Sequence, residues 1–214
     1  MTVDIWSDVR CPFCYIGKHK FENALKEFNH KDNVEVRWHS FQLDPTIKTS
    51  PELSTLDYFT QVKNVSKEQA LEMFSNMEDM ARESGLKIDS NSTVLANSFR
   101  AHLLIQLAIQ KGLANEVEEA LFIAHFSEAK NIDDEETLVE IGISAGLAEQ
   151  EVRNALTSEE LSYAVKQDEM QAQQIGVRGV PFFVFNHKHG VSGAQATETF
   201  KEVLEKVWEE ETGK

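Results

Sequence analysis

The chain has 214 residues, 41% of them hydrophobic, enough for one large domain or two small ones around a sizeable core. Its 36 acidic and 21 basic side chains leave a formal charge of −15, which repels phosphate backbones and anionic lipid and argues against nucleic-acid and membrane partners. The longest nearly apolar stretch, residues 103–109, contains Gln106 and is too short to span a bilayer. After Met1 and Thr2 the chain runs directly into Val3-Asp4-Ile5-Trp6, with no basic start and no long apolar run, so a cytoplasmic location is expected.

Residues 3–8 read as a first strand, with β-branched and aromatic residues and no breaker. Cys11 then opens a helix with Pro12 in its first turn, where proline is best tolerated, and Phe21, Leu25 and Phe28 form its apolar stripe. Residues 34–41 alternate Val34, Val36 and Trp38 against Glu35, Arg37 and His39, a second strand that Leu43-Asp44-Pro45 ends. From about residue 50 to 175 the signal is helical. Ser66 and Gln69 fit a capping box ahead of a face made by Ala70, Met73, Phe74, Met77 and Ala81. Residues 92–111 are apolar on most faces, as in a buried helix, and stop at Gly112. Helices follow at 115–129, after an Asp134 cap with Leu138, Ile141 and Ala145 inward, at 149–156, and after a second capping box of Thr157 and Glu160. Strand character returns at 181–185, a turn spans 186–190, and Val191-Ser192 starts a return strand. The last helix repeats Phe200, Val203, Leu204, Val207 and Trp208 at helical spacing. The outer pieces, β-α-β and β-β-α, together supply four strands for one sheet, and the helical block reads as an insertion packed outside it.

The two cysteines, Cys11 and Cys14, stand three positions apart. A bridge over so short a loop stabilises little, so chemistry explains the pair better than stapling does. Cys11 lies at a helix N-terminus, where unpaired N–H groups and the dipole favour an anion, and a thiolate is the attacking species in disulfide exchange. Pro12 and Phe13 set a single turn between the thiols, which places Cys14 to resolve a mixed disulfide formed on Cys11. A zinc site would need two more ligands, and no further cysteine exists. None of the histidines pairs with another at the usual helical spacing, so no metal is expected. In Gly176-Val177-Arg178-Gly179-Val180-Pro181, the proline is consistent with simple strand entry and equally with a functional loop.

Three segments together resemble the DsbA family of the thioredoxin-like superfamily, most closely its FrnE-like branch, related to the 2-hydroxychromene-2-carboxylate isomerases. They are 8–17 (Asp-Val-Arg-Cys-Pro-Phe-Cys-Tyr-Ile-Gly), 175–184 (Ile-Gly-Val-Arg-Gly-Val-Pro-Phe-Phe-Val) and 192–195 (Ser-Gly-Ala-Gln). Segments 97–102 and 121–126 resemble the family's helical-insert signatures. The resemblance implies an α/β thioredoxin-like fold with an inserted all-helical domain, divided as 1–48 with 174–214 and an insertion at 49–173. It implies a cis Val180–Pro181 bond, with Pro12, Phe13, Val180 and Pro181 contacting an extended substrate.

Two departures stand out. The family often has His-Arg where this chain has His102-Leu103, and His102 reads as a satisfied histidine on an apolar helix. The isomerase relatives typically carry serine where this chain has Cys11, which favours redox chemistry. The leading expectation is a dithiol–disulfide oxidoreductase, with disulfide isomerase activity open to the same thiols. It acts on protein or small-molecule disulfides through Cys11 and Cys14, needs no organic cofactor, and has glutathione as an eligible co-substrate. The alternatives are a glutathione-dependent isomerase or transferase and a non-enzymatic peptide-binding holdase. Oligomeric state and direction of electron flow are not readable from the residues.

Overall fold

A computed structural model describes residues 1–213; Lys214, the last residue of the 174–214 range, lies outside the described residues. The elements in order are β1 (Thr2–Ser7), α1 (Pro12–Glu27), β2 (Glu35–Ser40), β3 (Ser50–Ser54), α2 (Thr55–Asp57), α3 (Lys67–Glu83), β4 (Val94–Leu95) and α4 (Phe99–Lys111). There follow α5 (Ala114–Phe122), α6 (Glu135–Ser144), α7 (Glu149–Ala155), α8 (Glu159–Gln174), β5 (Phe182–Phe185), β6 (His189–Ser192) and α9 (Thr197–Thr212).

One four-stranded sheet has the order β2-β1-β5-β6, with β1 and β2 parallel and the other pairs antiparallel. The period-2 alternation explains its two faces. Val3, Ile5, Phe183 and Phe185 point to one side, where Phe21 and Ala24 of α1, and Phe28 just past its end, meet Phe200, Leu204 and Val207 of α9. Trp6, Phe182 and Val184 point to the other, against Ala172 and Val177. Strand β1 is paired on both edges and buried from Val3 to Ser7, with Asp4 the one charged side chain on its Trp6 face. The elements between β2 and β5 form a second core around α4, whose residues 101–108 are all buried. This is a thioredoxin-like fold with a helical insertion.

Buried polar links bind the insertion to the sheet. The His39 ring lies between the carboxylates of Asp168 on α8 (2.9 Å) and Asp4 on β1 (3.0 Å), and stacks on Trp6. Burial pulls its pKa down, but the two carboxylates outweigh this and lift it to about 9. Asp168 also accepts from the Ser40 N–H at 2.9 Å and the Gln106 amide at 2.7 Å. On the other side, buried Lys18 of α1 pairs with Glu22 at 2.8 Å and with Glu119 of α5 at 2.6 Å.

The insertion departs from a purely helical block. Strands β3 and β4 form a two-stranded antiparallel pair with a register irregularity. Residues 92–98, expected to be helical, form this strand and a turn instead, and α4 begins only at Phe99, where Asn97 Oδ1 accepts its N–H at 2.8 Å. The helix expected at 115–129 is α5 followed by a widened turn over Ile123–Ser127, in which the Glu128 N–H reaches back five residues to the Ile123 carbonyl. A like turn spans Tyr58–Val62. Helix α8 is capped by Ser158, whose hydroxyl accepts from the Leu161 N–H at 3.2 Å, not by Thr157. The Thr157 N–H and hydroxyl are both committed to the Asn154 carbonyl in the preceding turn. Met73, placed inward by periodicity, is 46% exposed and lines a cavity beside α1.

Candidate active site

The two thiols sit where β1 gives way to α1. The chain turns after Ser7, and the Cys11 N–H donates to the Asp8 carbonyl at 2.8 Å. The Asp8 carboxylate fixes this turn from inside, accepting from the backbone N–H of Arg10 at 3.1 Å and of Leu43 at 2.8 Å. Cys11 is the extended residue preceding the helix, and Pro12 takes the first helical position, where its missing N–H costs nothing. The Cys14 N–H donates to the Cys11 carbonyl at 3.0 Å, so the second thiol follows one turn along. Both thiols are free.

Segment 180–181 lies across from them. The Cys11 thiol donates to the Val180 carbonyl at 3.5 Å, and the Val180–Pro181 bond is cis. The loop is held by the Gly193 N–H on the Pro181 carbonyl at 2.8 Å. Its approach to α1 depends on Gly17: a Cβ there would stand 2.9 Å from Pro181 Cγ and 3.4 Å from Ala194 Cα. Gly17→Val is therefore expected to cost about 1–3 kcal/mol by overpacking. It also pushes the loop off Cys11 and slows disulfide exchange at saturating substrate. Urea unfolding and single-turnover rates measure the two effects, and an unchanged rate at reduced stability would remove the positioning role of this contact.

Beneath the thiols lies a buried set of ionisable groups. The Asp8 N–H donates to the Cys14 sulfur at 3.5 Å. Burial pushes the Cys14 thiol well up, and the adjacent Cys11 sulfur and the Asp8 charge add to the rise. His102 Nε2 stands 3.5 Å from Asp8 Oδ1, a charge contact without hydrogen-bond geometry. Burial opposes both charges, yet the pairing prevails, lowering the Asp8 pKa and raising that of His102. His102 is thus a buried counter-ion rather than a satisfied histidine. Near it, burial raises the Glu118 carboxyl to about 7, and its Oε2 has no hydrogen-bond partner.

A carboxyl raised on folding destabilises the native state once ionised, so this penalty grows as pH rises from the unfolded value near 4.3 to about 7. Glu118→Gln is accordingly expected to raise stability by on the order of 2 kcal/mol near pH 8 and to change little near pH 4.5. Denaturant midpoints at the two pH values check this, and an equal shift at both would contradict it.

Cys11, Pro12 and Phe13 line a cavity of about 380 Å³ whose other walls include Tyr58, Phe74 and Phe126. Cys14 is not among its lining residues. A larger cavity of about 690 Å³ runs along the edge strand β2 beside Trp38 and Gln106, and holds neither thiol. The structure thus gathers Cys11, Cys14, Pro12, Phe13, Val180 and Pro181 at one end of the sheet. The turn expected at 186–190 closes by Lys188, and the two histidines diverge: His187 in the turn faces Asp4 at 3.3 Å, while His189 already opens β6 and faces Glu210 at 2.8 Å. Sequence reasoning missed the buried Glu118 and the placement of Ser90 and His125 along the cavity wall, because no local spacing marks them.

A sequence model of the family described as DSBA-like thioredoxin domain matches residues 2–205. The chain is similar to a crystal structure of a probable DsbA oxidoreductase from Streptomyces coelicolor, at 37% identity and a TM-score of 0.90, covering 97% of this chain and 90% of that one. It is 28% identical over 207 residues to the uncharacterized protein YwbO of Bacillus subtilis (strain 168), covering 95% and 96% of the two chains. A 2-hydroxychromene-2-carboxylate isomerase structure shares the fold, with a TM-score of 0.74 at 14% identity over 100% of this chain and 98% of that one. Among the described residues no helix is long and apolar enough to cross a membrane.

Proposed function

The chain belongs to the family of DSBA-like thioredoxin domains, and on that premise we propose that it is a dithiol–disulfide oxidoreductase working through Cys11 and Cys14 on protein or small-molecule disulfides. The observation that carries this reading is the asymmetry of the two thiols. Both are buried, but Cys11 lines a cavity at the start of a helix, while Cys14 sits one turn behind it, off the cavity wall, with its thiol pushed well up. In the exchange, the Cys11 thiolate attacks one sulfur of a substrate disulfide, a Cys11–substrate disulfide forms, and the other half leaves as a thiolate. Cys14 then gives up its proton and attacks the Cys11 sulfur, forming the protein disulfide and releasing the second thiolate. The substrate gains two electrons and the protein loses two. Run backwards, the same steps oxidise a substrate dithiol, and partial reversal isomerises a wrong disulfide.

Pro12 and Phe13 border the cavity, and the backbone of Val180 with Pro181 would align an extended substrate beside Cys11. The reading includes a sheet domain at 1–48 with 174–214, an insertion at 49–173, a cytoplasmic setting, and glutathione as a thiol co-substrate. The electrons reside in the two thiols, so the exchange itself involves no organic cofactor or metal. The present Cys11, where isomerase relatives carry serine, supports the redox reading. The test is stoichiometric. Reduced protein mixed with excess hydroxyethyl disulfide is expected to lose both of its thiols and release two small thiols per chain. Release no faster than from a free thiol would overturn the proposal.

A further inference from the structure

Strand β2 is one edge of the sheet, and part of that edge is open. In its parallel ladder with β1, the Glu35 N–H donates to the Met1 carbonyl and the Phe41 N–H to the Ser7 carbonyl, both at 3.0 Å, so the odd-numbered residues turn their backbone groups toward β1. Val36, Trp38 and Ser40 therefore turn theirs outward. The chain covers one end of this outer row itself. The Ser40 N–H donates to Asp168 at 2.9 Å and the Gln42 N–H to Glu169 at 3.2 Å, both carboxylates of α8. Among the described residues nothing accepts from the N–H groups of Val36 and Trp38, and nothing donates to their carbonyls.

Val36 and Trp38 both line the cavity of about 690 Å³. Its other walls include Glu22 and Leu25 of α1 and, at the corner where α4 gives way to α5, Ile109 and Glu116. The open edge thus lies inside a groove. A second copy would bring its own β2 behind the same walls, so two such edges cannot meet without displacing α4 and α5. A single extended segment can enter. Charge then selects among segments. Glu22, Glu35, Glu116 and Asp168 line the groove against the cations Arg37 and His39, in a chain of net charge −15. Glu22 pairs with Lys18, Glu35 with Arg37 and Asp168 with His39, which leaves Glu116 uncompensated among the described residues.

We propose that the groove along β2 binds an extended basic segment of a partner protein, which adds a strand to the sheet beside Val36–Trp38. The backbone N–H and C=O groups of the segment pair with those of Val36 and Trp38, the mode by which extended peptides join exposed sheet edges. Val36 and Trp38 pack on the α1 side of the sheet, with Leu25 and Ala114 beside them. A lysine or arginine of the segment on that side lays its apolar stem along Leu25 and brings its charged head to Glu22 and Glu116. The segment is a partner and not the reacting disulfide, since neither thiol lines this groove.

The test is fluorescence anisotropy with three labelled peptides: Lys-Val-Lys-Val-Lys, its Glu-Val-Glu-Val-Glu counterpart, and the lysine peptide with its backbone nitrogens methylated. The lysine peptide is expected to bind about tenfold more tightly than the glutamate one at low salt, with the gap narrowing as salt rises. Methylation keeps the charge and removes the donors, so it should weaken binding about tenfold. Hydrogen exchange of the Val36 and Trp38 amides should slow in the complex. Val36→Pro removes one outward N–H at an edge position where proline is tolerated, and is expected to weaken the lysine peptide about tenfold with the circular dichroism unchanged. Glu116→Lys should weaken it about threefold. Equal binding of the methylated peptide would mean attraction by net charge alone and would overturn the proposal, as would exchange at Val36 and Trp38 unchanged by the peptide. These two readouts use the native chain, so they decide the matter even if Val36→Pro does not fold. A dimer in sedimentation that Val36→Pro dissociates would also overturn it, in favour of a second copy on the edge.

Discussion

Cys11→Ser is expected to lower disulfide exchange by roughly 10³-fold or more, because a hydroxyl at that position cannot replace the attacking thiolate. Cys14→Ser should behave differently. Cys11 still attacks, but nothing resolves the product, so a Cys11–substrate mixed disulfide accumulates at close to one per chain. The difference follows from placement: Cys11 lines the cavity and touches the Val180 carbonyl, whereas Cys14 sits behind it under the Asp8 N–H, with its thiol pushed well up by burial. Intact-mass and peptide mass spectrometry of both variants, quenched after one turnover, read this directly. An adduct on Cys14 in the Cys11→Ser protein, at a rate matching the native one, would reverse the roles.

Asp8→Ala is expected to cost about 3–5 kcal/mol of stability, the range for breaking a buried ion pair by removing one partner. Asp8 is wholly buried, as is His102, and Asp8 also receives the backbone N–H groups of Arg10 and Leu43. Removing the carboxylate leaves two backbone donors and a fully buried imidazole without their partner at once. The pH dependence has a definite sign. The Asp8 pKa is lowered on folding, so its contribution is present above the unfolded value near 3.9 and is lost as pH falls through the folded one. The His102 pKa is raised, so its contribution is full below the unfolded value near 6.5 and is lost as pH rises through the folded one. The gap between native and variant should therefore be widest from about pH 4 to about pH 6.5. Urea unfolding across that range measures it. Adding His102→Leu to the Asp8→Ala chain should recover part of the loss, since the buried polar ring left without a partner is gone. A single-variant cost below about 1 kcal/mol would mean that the pair is not holding the turn beneath the thiols.

The sheet and its covering helices were legible because their signals are local. Alternation in 34–41 and the Phe200–Trp208 stripe mark β2 and α9 without reference to the rest of the chain. The cysteine spacing and Pro12 likewise point to a helix start from within four residues. The β3–β4 pair was hidden: Ser50-Pro51-Glu52-Leu53-Ser54 lacks strand propensity, and Val94-Leu95 is too short for a period to register. The widened turns were invisible for a similar reason, since adding one residue to a helical turn leaves the composition unchanged. Met73 shows the limit of periodicity, which sorts residues into faces but does not distinguish a face toward the core from one toward a cavity. Most of the chemistry around the thiols was beyond reach. Asp8 and His102 stand 94 positions apart, and the cavity wall beside Cys11 includes Ser90 from a loop and His125 from a distorted helix. Only tertiary structure brings such groups together.

The central claim is that Cys11 and Cys14 form a redox couple. The most direct measurement is the fraction of protein disulfide at equilibrium in a series of reduced and oxidised glutathione buffers, read by acid quench and mass spectrometry. The account predicts a reversible two-electron transition between dithiol and Cys11–Cys14 disulfide, within the span of roughly −270 to −120 mV that thioredoxin-like proteins cover. A chain that remains dithiol at every ratio of the two glutathione forms, with no loss of two hydrogens from its mass, would contradict it.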